Sequence, residues 1–248
     1  KPVTLPFKAT RAAQAPLPAK GFAAPGFEPL ARVFAEQVAT KEVGAALVVY
    51  QAGEKVVDLW GGLADIEHQT PWRQDTRVIV FSATKGLSAM AFHLASSREL
   101  FSWDAPVANY WPEFAGGGKG NITVRELLNH QSGLAALDTK FTLLECTQAA
   151  HQGAIRAALE AQVPQRGGQA YHAITWGLYA AVLFEKITGE NIGVYAQREL
   201  YAPLGSDARI GENESDARNT ATLYAPKIST RAFHMARRAA TRPLSADA

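Results

Sequence analysis

The chain has 248 residues, of which 47% are hydrophobic and 9% aromatic, so it can bury a core and is not a disordered protein. Its length fits one or two domains. The net charge of +2 gives no reason to expect a nucleic-acid partner, and the single cysteine, Cys146, excludes an intramolecular disulfide. No apolar run reaches the length of about 18 residues that marks a membrane-spanning helix.

Residues 1–26 are rich in alanine and proline, which predicts an extended lead-in. Basic residues are concentrated here and in residues 227–248. We interpret both segments as solvated ends rather than as surfaces for nucleic acid or membrane lipid. The lead-in lacks the apolar stretch of a secretory signal. Because a cleaved signal leaves no trace, a cytoplasmic and a periplasmic location both stay open.

The next segments alternate between helical and strand patterns. In chain order, the patterns predict a helix over 27–41, a hairpin with strands 45–51 and 55–61, a short apolar run over 78–81 and a helix over 82–97. Residues 52–54, Ala-Gly-Glu, have the composition of a three-residue hairpin loop.

The rest of the chain is predicted to be mainly helical. Thr123 and Glu126 fit a capping box, and we expect Gly133 to end the helix that they begin. Further predictions are a helix over 147–162, a loop over 165–169, a helix from 174 that Gly189 ends, and a helix over 191–202. The glycine-rich residues 116–120 are interpreted as a flexible loop rather than a phosphate-binding loop, because no strand precedes them.

This order predicts an α/β (α+β) fold in which an antiparallel sheet is flanked by helices and carries a helical insertion domain. Two strands alone do not make a stable sheet, so further strands are expected from downstream residues, although few candidates follow residue 205. The expected organisation is the lead-in, the first part of the α/β domain over 27–100, a mainly helical domain over 101–205, and a polar basic tail or the start of a missing region over 206–248.

Ser82 and Lys85 are the most informative residues for chemistry. Three residues apart on one helical turn, the hydroxyl and the ammonium face the same way, so the lysine can activate a serine that is a weak nucleophile by itself. The Ser82 N–H at a helix N-terminus favours a developing oxyanion. No Gly-x-Ser-x-Gly or His-Glu-x-x-His segment occurs, and no metal site is expected.

Tyr171 is a second candidate, because a tyrosine beside a serine and a lysine can act as a phenolate base or relay a proton to the leaving group. From composition alone, an ordinary half-buried tyrosine is the stronger interpretation. His172 and Trp176 are candidate substrate-binding residues, with structural or core roles as the alternatives. His130 and Ser132 are expected to fix a loop through hydrogen bonds.

Three segments then carry a resemblance to a known family. They are Val80–Gly86 (VFSATKG), Leu127–Leu134 (LLNHQSGL) and Tyr171–Gly177 (YHAITWG). In this order they resemble the signature blocks of the serine β-lactamase-related superfamily, and the chain is most similar to family VIII carboxylesterases, which resemble class C β-lactamases.

The resemblance implies that Ser82 is acylated, that Lys85 activates it and that Tyr171 is the general base and acid. It also implies a β-lactamase/DD-peptidase-like fold, with the site between an α/β domain and a helical domain, and neither metal nor organic cofactor.

Two departures from the family pattern affect the expected substrate and the expected extent of the fold. Class C enzymes have Tyr-x-Asn where this chain has Ala173, and the loss of an asparagine that helps hold β-lactam amides favours esters. The family's third motif lies on a strand after the tyrosine, and that strand supplies the second oxyanion N–H. No such strand is predicted here, and the segment Trp60–Gly62 precedes Ser82 and is interpreted as part of the hairpin. The chain is therefore expected to represent about the first two-thirds of the fold, without its C-terminal strands.

The leading hypothesis is a serine hydrolase that cleaves short-acyl carboxylic esters through an acyl-enzyme, with a small-molecule ester as its partner. The alternatives are a β-lactamase or D-Ala-D-Ala peptidase, and a non-catalytic truncated module or pseudoenzyme. The open strand edge further predicts completion of the sheet by a second copy or by a missing C-terminal segment.

Overall fold

The computed structural model describes the backbone of residues 7–8 and, in full, residues 18–165, 169–211 and 219–224. The predicted loop over 165–169 lies partly outside these residues, as do most of the two basic ends. The chain divides into two compact units, one formed by residues 1–79 with 214–248 and the other by residues 80–213. Each unit is described by itself.

The first unit contains an antiparallel sheet in the order β2-β4-β3, built from β2 (Lys20–Ala23), β3 (Gly44–Gln51) and β4 (Glu54–Asp65), with β5 (Thr70–Pro71) pairing to β4. The predicted hairpin is therefore confirmed, but the prediction that three residues form its loop is wrong. Gln51 pairs with Glu54, and both loop residues have positive φ, 50° at Ala52 and 84° at Gly53. This geometry is that of a two-residue turn matched to the twist of the strands.

The expectation that all further strands come from downstream residues was also wrong. Strand β2 lies upstream, inside the predicted lead-in, and pairs with β4 from Lys20↔Trp60 to Ala23↔Val57. Its Gly21 has a φ of 106°, and a Cβ there would lie 1.9 Å from the carbonyl oxygen of Asp58. Only glycine permits so close an approach of the two backbones, and local sequence patterns do not reveal it.

Helix α1 (Glu28–Thr40) confirms the first predicted helix and covers the sheet. Its Phe34 and Val38 are buried with Val57 and Leu59 of β4, and this apolar contact holds helix and sheet together. Among the described residues, β3 lies at the end of the sheet, and its Val48 and Tyr50 are exposed. Completion of the sheet by a second copy or a further segment stays a prediction.

Residues 219–224 pack into the first unit. Strand β6 (Leu223–Tyr224) pairs in parallel with β1 (Phe7–Lys8), a short pairing that the sequence pattern did not predict. Thr222 Oγ1 donates to Asp65 Oδ2 at 2.7 Å. Burial opposes ionisation of Asp65, but this bond and those from His68 lower the pKa of its carboxyl to about 2.

The second unit is helical, with α2 (Thr84–Ser97), α3 (Val124–Leu128), α4 (Leu143–Cys146), α5 (Gln152–Ala161), α6 (Thr175–Thr188) and α7 (Ile192–Ala196). Short turns of tighter helix cover Phe81–Ala83, Val107–Asn109, Pro112–Gly118 and Ala149–His151, and a π-helical turn, Gln197–Tyr201, continues α7. Two groups of aromatic rings lie in its core. Phe92 contacts Phe184 with ring centroids 5.0 Å apart, and Trp111, Phe114 and Tyr179 contact one another at 5.5–6.3 Å.

The helices predicted over 82–97, from 174 and over 191–202 are confirmed, and Gly189 ends α6 with a φ of 74°. The single helix predicted over 147–162 is wrong, because this stretch is divided between α5 and the turn that precedes it. Thr142 and Glu145 form a capping box that begins α4 upstream of the predicted start. The Thr147 hydroxyl then bonds to the Leu144 carbonyl as that helix ends.

The capping box of Thr123 and Glu126 is confirmed, but Gly133 does not end that helix. Helix α3 ends at Leu128, and His130 adopts a left-handed φ of 64°. Gly133, with a φ of 72°, instead lets the following loop approach Gln165, whose N–H donates to the Gly133 carbonyl at 2.8 Å. A Cβ on Gly133 would lie 2.6 Å from the Gln165 carbonyl oxygen.

The loop over 116–120 is anchored rather than flexible. Lys119 is fully buried, and its ammonium donates to the carbonyls of Glu160 at 2.7 Å and Gln162 at 2.6 Å. These carbonyls lie at the C-terminal end of α5, where a cation is favoured by the helix dipole. Burial lowers the pKa of Lys119. A buried lysine in this loop therefore binds the end of α5, and the glycines allow the chain to turn around it.

We predict that Gly133→Ala destabilises the protein more than Gly189→Ala. Both glycines are left-handed, so each substitution costs about 1–2 kcal/mol in backbone strain. At Gly189, no atom lies within 4 Å of the new Cβ. At Gly133, the new Cβ clashes with Gln165, which lowers the free energy of unfolding by a further amount of about 1–3 kcal/mol. Urea unfolding of the two variants checks this, and equal midpoints would contradict it.

Candidate active site

Ser82 lies in the tight turn Phe81–Ala83 that leads directly into α2. The N–H of Ala83 bonds to the Val80 carbonyl at 3.1 Å, and Ser82 itself is exposed. Its neighbour Phe81 has a φ of 46°, an uncommon conformation for a bulky side chain. Such strain is found most often at functional sites, where the surrounding structure enforces it. The turn presents the Ser82 hydroxyl to solvent at the start of a 14-residue helix.

Lys85 joins the serine to a second segment of the unit. Its Nζ lies 3.3 Å from Ser82 Oγ and donates to the carbonyl of Ala173 at 2.9 Å. The first contact follows from the three-residue spacing between the tight turn that holds Ser82 and the first turn of α2, as the sequence predicts. The second contact fixes the ammonium beside the chain that carries Tyr171, and Nζ lies 4.9 Å from the centre of that ring.

Tyr171 completes a three-residue cluster with Ser82 and Lys85. Its side chain is 57% exposed, so its hydroxyl is accessible to a small molecule. Hydrogen bonds with Ser82 and then with Lys85 hold the pKa of Tyr171 below its ordinary value, against the opposing effect of desolvation. A lowered pKa makes a phenolate easier to form, which is the state that a general base requires.

The structure therefore brings together the three predicted catalytic residues, from positions 82, 85 and 171. One further group at the site was not predicted from the sequence. It is the backbone carbonyl of Ala173, which accepts a hydrogen bond from Lys85. A backbone acceptor carries no side-chain signal, so no motif could have identified it.

His130 supports the segment on both sides of Tyr171. The N–H of Ala170 donates to the His130 carbonyl at 3.2 Å, and the N–H of His172 donates to His130 Nδ1 at 3.0 Å. The rings of His130 and Tyr171 lie 4.9 Å apart. Burial, followed by the positive charge of Lys85, lowers the pKa of His130. These bonds confirm that His130 fixes a loop, which is the role that the sequence predicts.

His172 and Trp176 lie beside the cluster but are buried. His172 is fully buried, with its ring 5.2 Å from that of His130, and desolvation lowers its pKa. Trp176 is 5% exposed, donates from Nε1 to the Leu128 carbonyl at 2.9 Å, and has its ring 5.9 Å from Lys85 Nζ. A substrate contact by either residue stays a prediction.

Ser132, in the same block as His130, is also buried, and within the described residues its hydroxyl has no hydrogen-bond partner.

The part of the chain that the structure describes holds no group of three or more His, Cys, Asp or Glu side chains suited to a metal ion. None of its helices is both long enough and apolar enough to cross a membrane.

Comparisons with known proteins identify the family to which the chain belongs. The family model described as Beta-lactamase matches residues 30–243. The esterase/beta-lactamase LipL of Mycobacterium tuberculosis is 38% identical over 203 residues, which are 79% of this chain and 46% of LipL.

Solved structures similar to the chain include the following two. A penicillin-binding protein homologue from Caulobacter crescentus is 31% identical with a TM-score of 0.77, over 84% of this chain and 57% of that one. A family VIII carboxylesterase is 34% identical with a TM-score of 0.74, over 82% of this chain and 56% of that one. The chain thus spans about half the length of the relatives it matches, and both the β-lactamase-like fold and the resemblance drawn from three sequence blocks are confirmed. The chain belongs to the beta-lactamase family.

Proposed function

We propose that the protein is a serine hydrolase that cleaves short-acyl carboxylic esters through an acyl-enzyme on Ser82. The observation that carries this proposal is the contact of Lys85 Nζ with Ser82 Oγ at 3.3 Å, with the centre of the Tyr171 ring 4.9 Å from the same Nζ. A serine needs an adjacent base to become a nucleophile, and this cluster provides one.

In the proposed acylation, the Tyr171 phenolate takes the Ser82 proton while Oγ attacks the ester carbonyl carbon. The Lys85 ammonium stabilises the phenolate and keeps Ser82 in place, and it is itself held by the Ala173 carbonyl. As the tetrahedral intermediate collapses, the bond to the alcohol oxygen breaks and that oxygen takes the proton from Tyr171. Water then attacks the acyl carbon while Tyr171 takes its proton. The bond from the acyl carbon to Ser82 Oγ breaks as Tyr171 returns the proton to Oγ, and a carboxylic acid is released.

Two features support esters over β-lactams. Ala173 stands where class C enzymes have the asparagine that holds a β-lactam amide, and in this chain the position contributes its carbonyl to Lys85. Phe81 and Ile174, the neighbours of Ser82 and Ala173, are exposed apolar side chains. Apolar surface beside the nucleophile suits an alkyl acyl group better than a polar amide.

A β-lactamase is the second candidate, because LipL carries both activities in its name. A steady-state comparison of p-nitrophenyl butyrate with nitrocefin on the full-length protein separates the two. We expect kcat/KM to be higher for the ester. Faster turnover of nitrocefin would establish the β-lactamase instead, and turnover of neither would favour a non-catalytic module.

A further inference from the structure

We infer, on the basis of the proposed function, that His130 is a positioning residue that holds Tyr171 against Ser82 and Lys85. It acts through the backbone on both sides of the tyrosine and through its ring, and it does not itself touch the reacting atoms.

The contacts of His130 bracket Tyr171. Its carbonyl accepts from the N–H of Ala170, the residue before the tyrosine, and its Nδ1 accepts from the N–H of His172, the residue after it. The two rings lie 4.9 Å apart with an interplanar angle of 51°. One residue thus fixes the backbone on either side of Tyr171 and limits where its ring can lie. Misplacement of a catalytic group by about 1 Å can cost about 10²-fold in rate.

This geometry requires one protonation state of His130. Because Nδ1 accepts a hydrogen bond, it carries no proton, and in the neutral ring the proton is on Nε2. Protonation of Nδ1 would set two N–H groups against each other and break the bond to His172. Among the described residues, the titratable groups that face the ring are Lys85, Tyr171 and His172. The charge of Lys85 and partial burial both favour the neutral ring.

The backbone of His130 suggests a sharp test. Its φ of 64° is left-handed, a conformation that asparagine adopts readily and alanine less so. In His130→Asn, the side-chain oxygen can take the place of Nδ1 and accept from the His172 N–H. In His130→Ala, the side-chain acceptor and the ring are both lost. His93→Asn is a matched control, because His93 is an exposed histidine of α2 that contacts Trp103.

The first measurement is steady-state hydrolysis of p-nitrophenyl butyrate by the full-length protein and its variants. We expect His130→Ala to lower kcat about 10- to 100-fold with KM changed less than about threefold, since orientation and not binding is lost. His130→Asn should recover most of kcat, and His93→Asn should match the unsubstituted protein. Unchanged kcat in His130→Ala, or a His130→Asn variant as impaired as the alanine variant, would overturn the inference.

The second measurement does not depend on turnover. Long-range ¹H–¹⁵N NMR of the histidine rings reports which nitrogen is protonated, and the His130 signals are identified by their loss in His130→Asn. We expect the Nε2–H tautomer at neutral pH. An Nδ1–H tautomer would overturn the inference even if His130→Ala failed to fold. If no ester is hydrolysed, the proposed function fails, while the tautomer still decides whether His130 holds the segment.

Discussion

If Ser82 is the nucleophile, Ser82→Ala should lower the turnover of p-nitrophenyl butyrate by a factor on the order of 10⁶, as the loss of the nucleophilic serine does in subtilisin. The substitution removes the only atom proposed to form a bond to the acyl group. Labelling of the protein by a fluorophosphonate probe should be lost as well. Because Ser82 is exposed, the thermal melting of the variant should match that of the unsubstituted protein.

Ser97→Ala is the matched control for that experiment. Ser97 is an exposed serine at the end of α2, and its hydroxyl bonds to the Leu94 carbonyl at 2.8 Å. This variant should keep both turnover and labelling. Labelling that persists in Ser82→Ala would place the nucleophile at another residue.

Tyr171→Phe should lower kcat/KM by about 10²- to 10⁴-fold, which is the usual contribution of a positioned general acid–base group. The hydrogen bonds from Ser82 and Lys85 lower the pKa of Tyr171, so the phenolate forms at a lower pH than in a free tyrosine. If the phenolate is the base, the rate should rise as pH increases through that pKa and then level off. The phenylalanine variant should lose this rise, and a pH series of kcat/KM measures both effects.

Tyr50→Phe provides the control for the loss of a tyrosine hydroxyl, since Tyr50 is 62% exposed on β3. It should have the pH profile of the unsubstituted protein. Full activity in Tyr171→Phe would contradict the role of the phenolate and leave Lys85 as the base.

The parts of the fold that the sequence predicts are those set by local chemistry. Helices α1, α2 and α6 have apolar faces at helical spacing, and Gly189 ends α6 because it alone adopts the left-handed cap without strain. The contact between Ser82 and Lys85 is local as well, since both lie on one helical turn. Each of these features depends on residues within a few positions of one another.

The features that sequence patterns did not predict depend on contacts between residues that are far apart in the chain. Strand β2 exists because Gly21 lets its backbone lie against Asp58, a contact between residues far apart in the chain. The glycine-rich loop predicted to be flexible is held by Lys119, whose carbonyl partners on Glu160 and Gln162 lie 41 and 43 positions away in the chain. The meeting of Tyr171 with Lys85 was expected only from family resemblance, because no periodicity connects α2 to that segment.

The most direct test of the account is to trap the acyl-enzyme. The full-length protein is mixed with p-nitrophenyl butyrate, quenched with acid during turnover, digested and mapped by mass spectrometry. We expect a butyryl group on the peptide that contains Ser82, localised to that hydroxyl and absent in Ser82→Ala. A butyryl group on another residue, or turnover of the ester without any detectable acyl-enzyme, would contradict the proposed role of Ser82.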